Sequence, residues 1–582
     1  MPTTYKNPVY PYRRPPELDV QQVRHYPVVI VGAGPSGLAA AIDLALQGVK
    51  SIVLDDNNTV SVGSRALCFA KRSLEIVDRL GCVEPMLAKG VTWQQGRVFF
   101  QEREVYDFNL LPEDGHRMPA FINLQQYYFE EFLVNRTHDF PEHIDLRWNH
   151  KVIDVDAQPE CSTLKVATQD GEYPLTCDYL LVSDGANSRI RDMLGLECKG
   201  QVFQDRFLIA DVVMKADFPT ERWFWFDPPF HPNQSVLLHK EPDNVWRIDF
   251  QLGRDADPEE EKKEENIRPR VQAMLGQDVE FELEWASVYT FRCRKMDNFI
   301  HHSVLFMGDA AHQVSPFGAR GANGALQGVD NLVWKLARVL KQQAPATLLS
   351  TYNTERQHGA AENILNSTRA TDFITPKNHI SQVFRDVTLE LAEKHAFARS
   401  LVNSGRLSIP CRYDHSPLNT PDDDGGPNEL RPGSPSKDAP IRLGAETTWL
   451  LNQFGNGFVL LLDGRCEDSD AKKLIAPLRE LNAWRELLGR RTDLRLVVVG
   501  PATDEISALP RTTIIDDAEG LVAQRYGLTS GAGYLIRPDQ HITARWQALT
   551  ARKVDDALDR ALGLYLAGAA DTTFQESCHA KA

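Results

Sequence analysis

The stretch YPVVIVGAGPSGLAAAIDLALQGVKSIVLDD, residues 26–56, decides the fold. An apolar run ends at Val31, and glycines stand at 32, 34 and 37. An Ala/Leu-rich segment follows, and a second apolar run closes on Asp55. This is the pattern of a strand, a tight turn, a helix and a parallel strand. Gly32 allows the turn, Gly34 lets the backbone approach a pyrophosphate, and Gly37 lets helix and strand pack closely. The helix start around Ser36 offers free N–H groups and the positive end of a dipole to phosphates. Asp55, 23 positions after Gly32, is placed to bind a ribose hydroxyl pair. By itself this unit fits NAD and FAD equally.

The rest of the chain sets bounds on that unit. A length of 582 residues exceeds what a single core supports, so more than one structural unit is expected. A hydrophobic share of 42% with 25% charged residues is globular and excludes wholesale disorder. The net charge of −16 argues against duplex nucleic acid or an anionic membrane as the main partner. The longest apolar stretch, residues 26–48, is broken by glycines, prolines and Asp43 and does not read as a membrane span. Residues 2–19 (PTTYKNPVYPYRRPPELD) hold no apolar signal core. Nine scattered cysteines, with no CxxC and no His/Cys cluster, indicate neither a metal site nor a disulfide framework, and fit a reducing cytoplasm.

The expected organisation is α/β: a Rossmann-like dinucleotide-binding domain interleaved with a β-sheet substrate domain, followed by a thioredoxin-like C-terminal domain. Residues 1–25 form a proline-rich arm. Residues 26–200 and 296–410 form the cofactor domain, with parts of 91–125 joining the substrate region. Residues 201–295, with RFLIADVVMKADF, NQSVLLH and NVWRIDFQL, form the substrate sheet. The charge run PEEEKKEEN within it reads as a solvated helix start. Residues 411–440, dense in Pro, Gly and Asp, are a linker or a draped loop. Residues 441–570 alternate strands with helical stretches, one helix being expected at residues 470–488.

A second glycine motif selects the flavin. In GDAAHQVSPFGARGANGALQGVDNLVWKL, residues 308–336, Asp309 follows an apolar strand and stands where a ribityl hydroxyl would lie. Glycines 318, 321 and 324 precede a long helix whose first N–H groups would face the electron-rich end of a flavin ring. With DYLLVSDGANSRIR, residues 178–191, this makes three spaced motifs. On these the chain resembles the class A flavoprotein aromatic hydroxylases, the para-hydroxybenzoate and phenol hydroxylase group. Within that group it is most similar to bacterial 3-(3-hydroxyphenyl)propionate hydroxylase-like enzymes. The resemblance spans about residues 27–400.

The resemblance carries further residues over. It implies that Arg65, in GSRALCFAKRSLEIVDRLG, lies near the FAD and that Gln126 touches it. It places Asp184, with Gly185, Ser188 and Arg191, near the flavin pyrophosphate. Gly321, Ala322 and Asn323 match the loop under the flavin, and Pro316, with Phe317, faces the substrate. Relatives read G-Q-G-x-N where this chain has GARGAN, so Arg320 adds a cation. The aspartate that phenol hydroxylases hold beside the phenol aligns with Leu67, so the catalytic base is not inherited; His116, Tyr289 and residues of the 200–295 sheet are the candidates. The implied activity is hydroxylation of a phenolic ring with O₂ through a flavin hydroperoxide, NADH or NADPH serving as transient reductant. A reductase or dehydrogenase on the same fold, or a non-catalytic flavin-binding regulator, would share these motifs. The C-terminal domain reads as structural or homodimer-forming.

Overall fold

The computed structural model describes residues 4–19, 23–215, 218–253, 255–402, 407–422, 426–464, 494–502, 507 and 509–566. Strand Arg24–Val31 buries Val28 through Val31 because it is central in a parallel sheet and covered on both faces. It pairs in parallel with Ser51–Asp55 on one side and Gly171–Val182 on the other. The strand order is Ile300–His301, Val304–Phe306, Gly171–Val182, Arg24–Val31, Ser51–Asp55, Ile144–Trp148, and Lys151–Ala157 and Ser162–Thr168 pair off that path. Helices Pro35–Leu46 and Gly321–Leu340 are apolar and buried along most of their length and share the largest core with this sheet.

The second sheet has eight strands. Their order is His312–Gln313, Glu282–Met296, Cys198–Val213, Val245–Leu252, Ser235–Lys240, Arg222–Phe226, Gln95–Phe100, Arg103–Asn109. Segments near residue 100 thus complete the sheet built from residues 198–296. Pairing places Phe224 beside Leu237 and Val98, Leu237 beside Asp249, and His239 beside Arg247, which in turn faces Asp211. Because side chains alternate faces, one face carries Phe224, Phe226, Leu237, Arg247 and Asp249. Trp223 and Trp225 point the other way and pack with Trp246, Phe250 and helix Glu264–Leu275. The charge run opens that helix region with exposed ion pairs such as Lys263–Glu260.

A five-stranded sheet lies near the C-terminus, in the order Thr512–Ile515, Arg495–Val499, Val459–Asp463, Gly533–Ile536, Ile542–Trp546. Its first three strands run parallel and its last two antiparallel. The expected helix at residues 470–488, together with Cys466 and Cys578, lies outside the described residues. Residues 411–440 are draped and packed: Tyr413, Leu418, Leu430 and Ala439 are buried. The Tyr413 hydroxyl accepts from Arg356 Nη1 at 2.9 Å. The N-terminal arm is docked as well. Tyr5 stacks on Tyr127 at 4.1 Å, Tyr10 stacks on Trp148 at 4.6 Å, and buried Glu17 pairs with Arg147 at 2.9 Å.

Candidate cofactor and substrate site

The first glycine turn is shaped by contact. Gly32 has φ +104, and a Cβ there would stand 2.4 Å from the Ser183 carbonyl oxygen. A Cβ on Gly37 would stand 1.9 Å from the Gly32 oxygen, so only glycine lets helix and strand approach. Gly34 differs: a Cβ there meets nothing within 4 Å. The protein leaves open the side of the turn that a pyrophosphate would occupy. Gly34 is also the N-cap of helix Pro35–Leu46 and supplies no side-chain cap, so the first N–H groups are free for an anion. Asp55 accepts from the Ala33 amide at 2.6 Å and from the Asn57 amide at 2.9 Å, which fixes its carboxylate at the mouth of the turn.

The other two motifs converge on this turn. A Cβ on Gly308 would lie 2.6 Å from Ser36 Oγ, so the second glycine motif abuts the first helix. Asp184 accepts from the Ile190 amide at 3.3 Å through one oxygen, while its Oδ1 is enclosed without a partner. Ser188 caps helix Arg189–Met193 by accepting from the Arg191 amide at 3.1 Å. The Arg191 side chain then donates to the Ala310 and Ala186 carbonyls at 3.0 and 3.1 Å.

Asp309 is open to solvent on one side and surrounded by protein on the others. Burial pushes its carboxyl up to about 6, opposed by the neighbouring Arg65. Arg65 also lies beside Tyr289, whose phenol burial raises and Arg65 lowers. The loop carrying Arg65 is pinned from behind. The Gln126 side-chain oxygen accepts from the Ala66 amide at 3.0 Å, and Gln126 Nε2 donates to Glu130 at 2.7 Å. Gln126 therefore positions the loop that presents Arg65. Next to it, Gln125 is buried and turns toward the Pro242 carbonyl.

The segment opening helix Gly321–Leu340 is close-packed. Asn323 accepts from the Ala70 amide at 2.8 Å and donates to the Cys68 and Ala319 carbonyls at 2.9 and 2.5 Å. Its amide is engaged on both ends by protein and locks the helix start to strand Cys68–Ala70. Gly321 and Ala322 leave their backbone at this start with no side-chain cap. Arg320 is buried and donates to Asn363 and to the Leu407 carbonyl, each at 3.3 Å, and so turns toward the protein. Pro316 is exposed, but its carbonyl accepts from the Ala319 amide at 3.0 Å, closing a turn. Phe317 is buried edge-on between Phe207 and Phe291, at 4.9 and 5.3 Å.

His116 stands elsewhere. Its charged neighbours are Lys71, Arg525, Glu75 and Glu113, at the junction with the C-terminal sheet. Burial and those cations push it down to about 4. None of its neighbours is a cleft residue, because the chain from 112 to 118 runs toward the C-terminal region, where Arg525 donates to the Gly115 carbonyl at 2.8 Å. Tyr289, by contrast, is in the cleft beside Arg65.

A polar patch on the substrate sheet joins the site; the sequence pointed to residues of the 200–295 sheet without singling out these members. Arg247 makes a two-point ion pair with Asp211, both contacts at 2.8 Å, and donates to the Ser64 carbonyl at 2.7 Å. His239 lies 3.9 Å from Cys68, and burial holds its imidazole well below its ordinary pKa. Asp249 is pushed up to about 6 by burial. Glu241 is fully buried, lies 3.2 Å from Arg247 Nε, and is raised well above the carboxylate range, first by burial and then by Asp211. Arg222 is buried at the start of the neighbouring strand. The signal was the alternation in NVWRIDFQL, where Arg247, Asp249 and Gln251 interleave with Trp246, Ile248 and Phe250. Residues 64–68 form the seam: Arg65 faces Asp309, while Ser64 and Cys68 rest on the sheet.

The comparisons agree with this geometry. The family described as an FAD binding domain matches residues 25–367. The chain is 25% identical over 533 residues to a 3-(3-hydroxy-phenyl)propionate/3-hydroxycinnamic acid hydroxylase of Burkholderia cenocepacia (strain HI2424), covering 90% of this chain and 94% of that protein. It is 28% identical over 407 residues to a 12-dehydrotetracycline 5-monooxygenase/anhydrotetracycline 6-monooxygenase of Streptomyces rimosus, covering 67% and 78%. Among solved structures it is similar to the flavin-dependent monooxygenase PieE in complex with FAD and substrate, with TM-score 0.75, 20% identity and 92% and 99% of the chains covered. It is also similar to OxyS anhydrotetracycline hydroxylase from Streptomyces rimosus, with TM-score 0.67, 25% identity and 93% and 98% covered. With the family matched over more than half of its length, its three motifs brought into contact at one glycine turn and monooxygenases on both sides of the comparison, the chain belongs to the FAD-binding-domain family and is an FAD-dependent monooxygenase.

Proposed function

We propose that this enzyme hydroxylates a phenolic, electron-rich aromatic ring with O₂ at the expense of NADH or NADPH. The observation that carries the reading is the seam at residues 64–68. One short loop faces the cofactor motifs through Arg65 and Asp309 and the polar sheet face through Ser64, Cys68 and Arg247. A ring lying between them would meet the FAD on one side and ionisable groups on the other.

FAD fits the residues present. Gly34 and the uncapped helix start would take the pyrophosphate, Asp55 a ribose, and Asp309 the ribityl chain, with Asp184 nearby. Bound there, FAD supplies electron transfer from NAD(P)H and activation of O₂. The protein binds and orients the ring and keeps water out. Tyr289 and Asp249 are the groups suited to hold or receive the phenolic proton. Asp249, pushed up to about 6 with Oδ1 unpartnered, is a carboxylate near neutrality. His116, whose charged neighbours are Lys71, Arg525, Glu75 and Glu113, is less suited to that role.

The finer parts of the reading belong to the same proposal. The C-terminal strand order suits a thioredoxin-like domain without dithiol chemistry, serving structure or homodimer formation. Cytoplasmic placement follows from the scattered cysteines. Incubating the FAD-loaded protein with a panel of phenols, NAD(P)H and ¹⁸O₂ tests the function. Label in a ring hydroxyl supports it; NAD(P)H oxidation without label favours a reductase, and no turnover favours a binding protein.

A further inference from the structure

Arg222 opens strand Arg222–Phe226 of the substrate sheet. Alternation puts it on the face of Phe224 and Phe226, beside His239 and away from Trp223 and Trp225. It is 5% exposed, and its Nε and Nη1 are enclosed without a hydrogen-bond partner. Among the described residues no carboxylate stands within ion-pair distance of it. Other buried arginines here are answered: Arg79 by Asp43 and Asp330, Arg147 by Glu17, Arg247 by Asp211, Arg537 by Glu355. A guanidinium stays protonated at any working pH, so burial without a counter-charge is costly unless something else supplies the acceptor.

The neighbours do not supply it. Arg247 has consumed Asp211. His239 is kept uncharged and lies against Cys68. Glu241, fully buried, is already engaged by Arg247, whose Nε lies 3.2 Å from its Oε1, and burial raises its carboxyl well above the usual range. Asp249 acts on Arg222 electrostatically but forms no pair with it, and its Oδ1 is itself unpartnered. Arg222 and Asp249 are thus two complementary groups on one face, each with an enclosed atom that no protein group satisfies. That face is the one resting on residues 64–68, the seam to the cofactor motifs.

We propose that the Arg222 guanidinium anchors an anionic oxygen of the aromatic substrate, so that the preferred substrates are ring compounds bearing a carboxylate or an acidic hydroxyl. This rests on the hydroxylase reading above. The charge-assisted contact would fix which edge of the ring turns toward the FAD.

The test uses the intact FAD-loaded enzyme, wild type, Arg222→Gln and Arg222→Lys. The probes are 3-(3-hydroxyphenyl)propionate (a carboxylate), its primary amide (neutral) and 4-nitrophenol (an acidic hydroxyl), with binding read by equilibrium dialysis. Wild type should prefer one or both anionic probes over the amide. Arg222→Gln should weaken that preferred probe tenfold or more, move the amide less than twofold, and be partly rescued by Arg222→Lys. Loss confined to 3-(3-hydroxyphenyl)propionate or to 4-nitrophenol identifies the source of the anion. Wild type showing no preference for an anion, or equal weakening of all probes, overturns the proposal. Thermal unfolding without probes gives a second measurement. Relief of an unpaired buried charge should leave the melting temperature of Arg222→Gln equal or higher, and a fall of several degrees would mark a structural arginine and overturn it. The ¹⁸O₂ assay separates the two claims. Arg222-dependent anion binding without label in product keeps the anchor and rejects the hydroxylase. Labelled product with anion-blind kinetics does the reverse.

Discussion

Arg191 donates to the carbonyl of Ala310 at 3.0 Å, and with it ties two cofactor motifs 119 residues apart in the chain. Its other terminal nitrogen holds Ala186 at 3.1 Å, so one guanidinium sets the spacing between the Asp184 segment and the Asp309 segment.

Replacing Arg191 with Met should therefore loosen FAD without touching it. Hydrogen bonds from a charged donor contribute about 1.5–3 kcal/mol each, so a tenfold or greater drop in FAD affinity is expected. Arg191→Lys, with one point charge and no fork, should recover only part. FAD released on dialysis, read by its fluorescence, checks this; equal retention by wild type and Arg191→Met would show that the two motifs hold their spacing without the bridge.

The two nearby glycines should separate folding from binding. Gly37→Ala must push its methyl into the Gly32 carbonyl, so it should unfold the turn, at a cost above about 3 kcal/mol. Gly34→Ala meets no protein atom within 4 Å. Its apoprotein should melt within about 2 °C of wild type, because surface changes away from contacts stay within about 0.5 kcal/mol. Its FAD affinity should nevertheless fall sharply. Normal FAD binding by Gly34→Ala would place the pyrophosphate elsewhere.

The cofactor half of the site was legible because its logic is local. Gly32, Gly34 and Gly37 lie within one turn; Gly32 and Gly37 each answer a contact made within the same strand–turn–helix unit or with Ser183 just across the sheet, while Gly34 faces open space. The substrate half is assembled from seven strands between residues 95 and 296, and no consecutive motif marks it. Only alternation distinguishes Arg247 and Asp249 from their apolar neighbours. His116 misled for the complementary reason. A histidine's role depends on its surroundings, and here those come from Lys71 and Arg525, far away in sequence. Residues 411–440 had the composition of a spacer, yet Tyr413 and Leu430 are buried by partners that composition does not reveal.

The acidity of Asp309 predicts a pH dependence for the cofactor. A ribityl hydroxyl donates best to an ionised carboxylate, so binding favours the deprotonated form and lowers the pKa from about 6. FAD affinity should then be highest above pH 6 and fall as pH drops below it, approaching tenfold per unit. Asp309→Asn should bind more weakly at pH 8 and lose most of the slope. A wild-type affinity flat from pH 5 to 8 would exclude an ionisable contact there.

The C-terminal sheet is bolted to the cofactor domain by charge. Arg537, beside the last hairpin, donates to both oxygens of Glu355 at 2.6 and 3.1 Å and also grips Asp539, while Lys335 reaches the same Glu355 at 2.7 Å. All four side chains are buried. Removing one member leaves the others as uncompensated buried charges, which costs about 3–5 kcal/mol. Arg537→Met should lose that much, leaving Glu355 and Asp539 facing one lysine. Arg537→Met combined with Glu355→Gln should lose less than Arg537→Met alone, because the stranded charge is gone. Deleting residues from 440 onward strips Arg537 and Asp539 together and bares the apolar surface around Trp334, so it should cost solubility before chemistry. The network also has a pH signature. Arg537 and Lys335 hold the Glu355 carboxyl well below its usual range against the effect of burial. A depressed acid stabilises the fold above its unfolded pKa, about 4.3, and that contribution is lost as pH falls below it. Urea unfolding at pH 7 and at pH 4 measures both effects. If wild type and Arg537→Met unfold at the same urea concentration at pH 7, the domain is held by its apolar contacts alone.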